Sequence, residues 1–249
     1  MIKKELLTLI AIIFIAMSCS SDDDNNIDLE TNKEGNVEIR SAKDLENTKL
    51  KGYKTINGNL VINYTTDVED LSALKNLEEI NGGIIIKYNN NLKSLQGLNN
   101  IKKLEFLEIE NNLELTSLAG LENLATISKN LRIANNFKLN SLSSLNSMTT
   151  IGTDFFLSEN EMLTNLTGLE NLKEIPQIII LNNINLLSIS GLEGITSSDN
   201  IGIFSNDLLT DFCSLVPFVQ ANSSSIKFSA GFNSYNPSLE DLIDNNCSK

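Results

Sequence analysis

Glu108 and Glu110, two residues apart, are the carboxylates of this chain best placed to act together. On one extended strand, side chains at i and i+2 point to the same side, so the two would share a face. Such a pair could hold calcium and, with an Arg or Lys as base, serve an enzyme that cleaves polysaccharide. The rest of that machinery is thin. Arginine occurs only at Arg40 and Arg132, far apart in sequence, and histidine is absent. That removes the commonest general base and the commonest zinc ligand. A solvated strand face gives the same carboxylate pattern without chemistry, so no residue is assigned a catalytic, metal or cofactor role. Cys19, Cys213 and Cys247 complete the reactive set. The formal charge of -13, from 19 basic and 32 acidic residues, repels phosphate backbones and argues against nucleic acid as a partner.

The elements that would position these groups follow from a repeat. Asparagine returns at 23- or 24-residue intervals as Asn89, Asn112, Asn136, Asn160, Asn183 and Asn206, with Thr65 in the same place one unit earlier. Aliphatic or aromatic residues stand five and three positions before each asparagine, as in Leu131 and Ile133 before Asn136. After it apolar residues fall every third position, as in Leu139, Leu142, Leu145, Met148 and Ile151. A unit this short cannot enclose a core alone, so the units must stack as coils of a solenoid.

Within a coil, the alternation around Leu131-Arg132-Ile133 predicts a short strand with the apolar pair inward. A spacing of three does not fit the 3.6 residues of an α-helix and predicts extended or 3₁₀-like return segments. The recurrent asparagine is expected to turn inward and bond backbone groups and its counterparts in neighbouring coils. Gly97, Gly120, Gly168 and Gly191 each precede an inward Leu at one corner that demands unusual backbone angles. The expected fold is mainly β: a parallel solenoid of about seven coils of 23–24 residues with short helical caps, the coils stacked at about 4.8 Å. A front lid is read at Val37–Arg40, a strand, and Ser41–Glu46, a helix with Ser41 as N-cap and Asp44 as its capping-box partner. At the back, Ile226–Phe228 reads as a last strand and Ser238–Ile243 as a short helix.

The ends carry a different message. Residues 1–18 combine Lys3 and Lys4 with an apolar stretch too short to span a bilayer, the pattern of a cleaved export signal. It ends at Ala16-Met17-Ser18-Cys19, which resembles the lipobox of bacterial lipoproteins and implies lipid on Cys19. The acidic run at Asp22, Asp23 and Asp24 resembles the surface-export signal of Bacteroidetes lipoproteins, and residues 19–36 read as a solvated tether. The implied location is the outer membrane, exposed at the cell surface, with the membrane contacted through that lipid. In an exported chain the remaining even pair, Cys213 and Cys247, reads as a disulfide fastening a C-terminal cap at residues 213–249.

The frame Ile56-Asn57-Gly58-Asn59-Leu60-Val61-Ile62, followed by Leu71-Ser72-Ala73-Leu74-Lys75-Asn76-Leu77 and again by Leu118-Ala119-Gly120-Leu121-Glu122-Asn123-Leu124, resembles the receptor L domain. This relative of leucine-rich repeats would cover residues 37–249. The resemblance implies a right-handed solenoid, a non-catalytic binding module and a protein or glycan partner. It carries over no ligand-contact residue. A purely structural envelope lipoprotein fits the same residues.

If Leu131 and Ile133 point inward, residues between and after them point out. Those pairs are Val61/Asn63, Ile85/Lys87, Glu108/Glu110, Arg132/Ala134, Phe156/Ser158, Ile179/Leu181 and Gly202/Phe204. Phe156, Ile179, Leu181 and Phe204 therefore form the candidate binding patch, with a shallow gap expected at Gly202.

Overall fold

The computed structural model describes residues 31–249; Cys19, the export signal and most of the tether lie outside the described residues. Nine parallel strands form one sheet in chain order: Val37–Ile39, Leu60–Asn63, Ile84–Lys87, Leu107–Glu110, Leu131–Ala134, Asp154–Ser158, Gln177–Leu181, Asn200–Phe204 and Lys227–Gly231. Each pairs with the equivalent strand of the next coil without slippage, so that Leu131 lies opposite both Leu107 and Phe155. Register is enforced because a one-residue slip would turn the Leu131/Ile133 column to solvent. The seven strands of the repeat are thus extended by one strand at each end, as the lids require.

The return side is built from smaller pieces. Two three-stranded sheets occupy it, Asn32–Glu34/Thr55–Asn57/Glu79–Ile80 and Lys103–Leu104/Thr126–Ile127/Thr150–Ile151. Their inward residues Ile56, Ile80, Leu104, Ile127 and Ile151 close the core opposite the long sheet. The strand Asn32–Glu34 corrects the tether boundary at residue 36. It lies 23 residues ahead of Thr55–Asn57 and pairs with it in register, which outweighs a polar composition that alone suggests disorder.

The corner column shows how one coil chooses between two backbones. Gly97, Gly120, Gly168 and Gly191 have φ between 113° and 115°. A Cβ there would also lie 1.8–2.3 Å from a carbonyl oxygen of the preceding coil, which only glycine avoids. Their N–H groups donate to the side chain two residues on: Asn99, Glu122, Glu170 and Glu193. Coils with Ala73, Ser144 or Ser214 at this position instead form 3₁₀ turns, Ser72–Leu74, Ser143–Leu145 and Cys213–Leu215.

The caps are helical. Ala42–Leu45 begins at Ser41, whose backbone N–H and hydroxyl donate to Asp44 at 2.9 and 3.1 Å. A second front helix, Thr48–Gly52, has Asn47 as N-cap. At the back, Val216–Asn222 forms a helix where Pro217 suggests interruption, because proline is tolerated in a helix's first turn. Leu239–Ile243 follows Ser238 and its capping partner Asp241. Cys213 and Cys247 are bonded, closing a loop of 34 residues and tying this cap to the last coil. On the chain-entropy account such a closure contributes about 3–4 kcal/mol. Among the described residues no helix is long and apolar enough to cross a membrane.

Candidate functional site

Behind the sheet edge runs the asparagine column. Asn89, Asn112, Asn136, Asn160, Asn183 and Asn206 are fully buried. Each Oδ1 accepts from the backbone N–H and the side chain of its counterpart one coil earlier. Asn112 N and Nδ2, for example, donate to Asn136 Oδ1 at 3.1 and 3.0 Å. Each Nδ2 also donates to a strand carbonyl of the preceding coil, as Asn136 does to Ile109 O at 2.9 Å. Thr65 opens the series by donating to Asn89 Oδ1. Asn233 and Asn236 close it, the first accepting from Asn206 and the second from Asn233. Sequence spacing misses these two because the last interval is 27 residues rather than 23 or 24. The column is a structural spine.

The residue before each member has left-handed backbone, with φ between 54° and 59° at Tyr64, Tyr88, Asn111, Asn135, Glu159, Asn182, Ser205 and Phe232. Asparagine tolerates this region; bulky aromatics adopt it at a cost.

Across the exposed face the middle coils are charged and mutually neutralised. Lys87 Nζ lies 2.5 Å from Glu108 and 2.9 Å from Glu110, and Arg132 Nε lies 3.0 Å from Glu110. Burial alone would lower the Lys87 pKa. Hydrogen bonds and charge from Glu108 and Glu110 more than offset that and hold it above the ordinary lysine value. The two carboxylates that could have held a cation are thus engaged by bases on the adjoining coils.

Toward the C-terminal end the face becomes apolar. Register places Phe156 beside Ile179 and Leu181 beside Phe204, and the Arg132 guanidinium sits 4.0 Å above the Phe156 ring. All four candidate residues are half-buried. Two expectations are corrected. Ala134 and Ser158 point to this side yet are buried, because their short side chains are flanked in register by Glu110 and Leu181. The gap at Gly202 is filled, since a Cβ there would meet the Phe204 ring at 3.1 Å; the ring also leans over Gly231.

More exposed apolar side chains lie in the turns that follow the strands. Leu113, Phe137 and Ile184 occupy the position after the buried asparagine, and Met162 and Leu208 the position after that. They form an interrupted ridge along the strand-end edge of the sheet over five successive coils, roughly 20 Å long at the inter-strand spacing and broken by Glu114, Lys138, Glu161 and Asp207. Outward alternation cannot find it, because these residues stand in turns. The available signal was an apolar residue in a column that elsewhere carries Thr66, Asn90, Glu161 and Asp207.

Parallel coils, a buried asparagine spine and one solvent-facing sheet define a β-solenoid of the leucine-rich-repeat kind. Residues 52–116 match the family model of the receptor L domain, so the resemblance carried by the repeat frame is shown for that part of the chain. A receptor L domain is in general not an enzyme, and the match over residues 52–116 supports a non-catalytic binding module for that part of the chain. No curated protein matches the chain.

Proposed function

We propose that this protein is a lipid-anchored binding module of the cell surface, holding a protein partner against the C-terminal half of its sheet and the adjoining ridge. The observation that carries this reading is the ridge itself. Leu113, Phe137, Met162, Ile184 and Leu208 are each more than a third exposed although the solenoid core needs none of them. An edge of exposed apolar side chains interspersed with charged ones is characteristic of an interaction surface. It adjoins the Phe156, Ile179, Leu181 and Phe204 patch and favours a protein over a glycan as occupant there. The lipobox-like Ala16-Met17-Ser18-Cys19 supports lipid on Cys19, and the acidic run after it supports attachment to the outer membrane with the domain facing outward.

The test immobilises residues 27–249 and challenges them with envelope and host extracts and a glycan panel. A saturable protein partner whose capture is lost when Phe137 and Ile184 become Ser is expected. Absence of any saturable partner would favour a purely structural envelope lipoprotein. For the anchor, Cys19→Ala should leave the protein unlabelled by lipid and released from membranes; normal retention and labelling would contradict it.

A further inference from the structure

At the opposite end of the sheet from the candidate patch, Tyr64 and Tyr88 occupy successive left-handed positions, where the next two coils carry Asn111 and Asn135. Their rings stack with centroids 5.0 Å apart and planes within 4°. They remain 71% and 45% exposed, so neither is held there to fill the core. Costly backbone that persists where a cheaper residue serves the neighbouring coils is the kind of outlier that marks a working site.

Beside Tyr64 lies a depression of about 440 Å³ lined by Glu38, Ile39, Arg40, Val61, Asn63 and Tyr64. Its chemistry is mixed and locally neutral. Arg40 Nη2 donates to Glu38 Oε2 at 2.6 Å, with both side chains more than half exposed. Asn63 Oδ1 accepts from the Lys87 backbone N–H, and among the described residues its amide NH₂ has no hydrogen-bond partner. Glu38 lies opposite Val61 across the strand pair, so aromatic, aliphatic, acceptor and donor groups converge on one side of the first two coils.

We infer that this depression is a binding subsite for a neutral sugar, one pyranose unit of a glycan. A pyranose offers a patch of C–H groups that packs against an aromatic face, ringed by hydroxyls that each donate and accept. The carboxylate takes hydroxyl donors, and the guanidinium and amide meet hydroxyl acceptors. Because the ion pair cancels, the depression holds no net charge to recruit an anion, and a whole-chain charge of -13 opposes anionic sugars. The subsite is independent of the protein-binding reading: a partner on the ridge neither supplies nor requires it.

The chain has no Trp and four Tyr, so these two rings make up half of the fluorophores that intrinsic tyrosine fluorescence reads. The experiment titrates the full-length protein in mild detergent with methyl glucoside, galactoside and mannoside, with their neutral oligosaccharides, and with polygalacturonate as an anionic control. Parallel titrations use Tyr64→Asn and Arg40→Ala. At least one neutral series should give a saturable fluorescence change with heat by calorimetry, and polygalacturonate should give none. Tyr64→Asn should weaken that binding at least tenfold while its melting temperature stays level or rises, since Asn is the residue of the adjoining coils. Arg40→Ala should weaken it without affecting the fold. The proposal is overturned if no neutral sugar binds the wild type, if polygalacturonate binds as well, or if Tyr64→Asn lowers the melting temperature and leaves sugar binding intact. In the last case the stacked pair serves stability alone. Capture on the ridge is scored separately with the Phe137→Ser/Ile184→Ser protein, so failure of either reading is seen without the other.

Discussion

Asn136 shows how one side chain ties three coils together. Its Oδ1 receives both donors of Asn112, and its Nδ2 reaches Ile109 O, Ala134 O and Asn160 Oδ1. Replacing it by Ala leaves the buried Asn112 N–H without its acceptor, removes one of the three acceptors of Asn112 Nδ2 and takes the Asn136 donor from the Ile109 carbonyl. Unpaired buried groups of this kind cost about 1–3 kcal/mol each before relaxation. Asn136→Ala should therefore lower the unfolding free energy by about 3 kcal/mol, read from urea midpoints, and Asn236→Ala, at the end of the series, by clearly less. Equal losses at both positions would mean the column does not act as a linked spine. The six spine residues were legible because a fixed interval exposes any residue that keeps it. Asn233 and Asn236 were not, because the Ser-rich segment before the last strand lengthens the final interval and hides the frame.

At the scale of elements, the corner decides between a glycine turn and a 3₁₀ turn. A methyl group at Gly168 would lie 2.3 Å from the Leu142 carbonyl oxygen, on backbone with φ of 113°. Gly168→Ala should cost more than about 2 kcal/mol, whereas Ser144→Ala, in a 3₁₀ turn at the equivalent site, should stay within about 0.5 kcal/mol. Thermal melts of the two variants check this. The helical caps respond to acid. The Arg40 backbone N–H outweighs the burial penalty, and the Ser41 hydroxyl and N–H add to it, so the Asp44 pKa is held below its ordinary value; the Ser238 hydroxyl and then its N–H do the same for Asp241. A carboxylate with a lowered folded pKa stabilises fully above the unfolded value of about 3.9, and that contribution fades as pH falls through the folded value. Both end helices should thus loosen below about pH 4 while the central coils persist, a sequence that circular dichroism with limited proteolysis would follow; loss of the whole fold in one step would refute it. Ser41 announced its helix through its capping partner Asp44. The helix Val216–Asn222 stayed hidden because its apolar spacing continues the coil's and Pro217 reads as a stop.

For the whole molecule, repetition makes the architecture legible and the binding surface much less so. Identical columns must stack, and a stack of strands in register leaves one broad face to solvent, as it does from Val61 to Phe204. Which side chains on that face stand clear depends on neighbours rather than on alternation: Phe204 covers Gly202, and Arg132 lies over Phe156. The ridge from Leu113 to Leu208 sits in turns, whose outward directions no period of two or three encodes.

The central claim is that this C-terminal half of the solenoid holds a partner by surface that the fold itself does not need. Its most direct measurement compares Phe156→Ser/Leu181→Ser and Phe137→Ser/Ile184→Ser with the wild type, for affinity toward the captured partner and for melting temperature. Each pair should weaken binding at least tenfold, about 1.4 kcal/mol, while shifting the melting temperature by no more than about 2–4 °C. Unchanged affinity in both variants, or a collapse of the melting temperature with binding lost only through unfolding, would contradict the account.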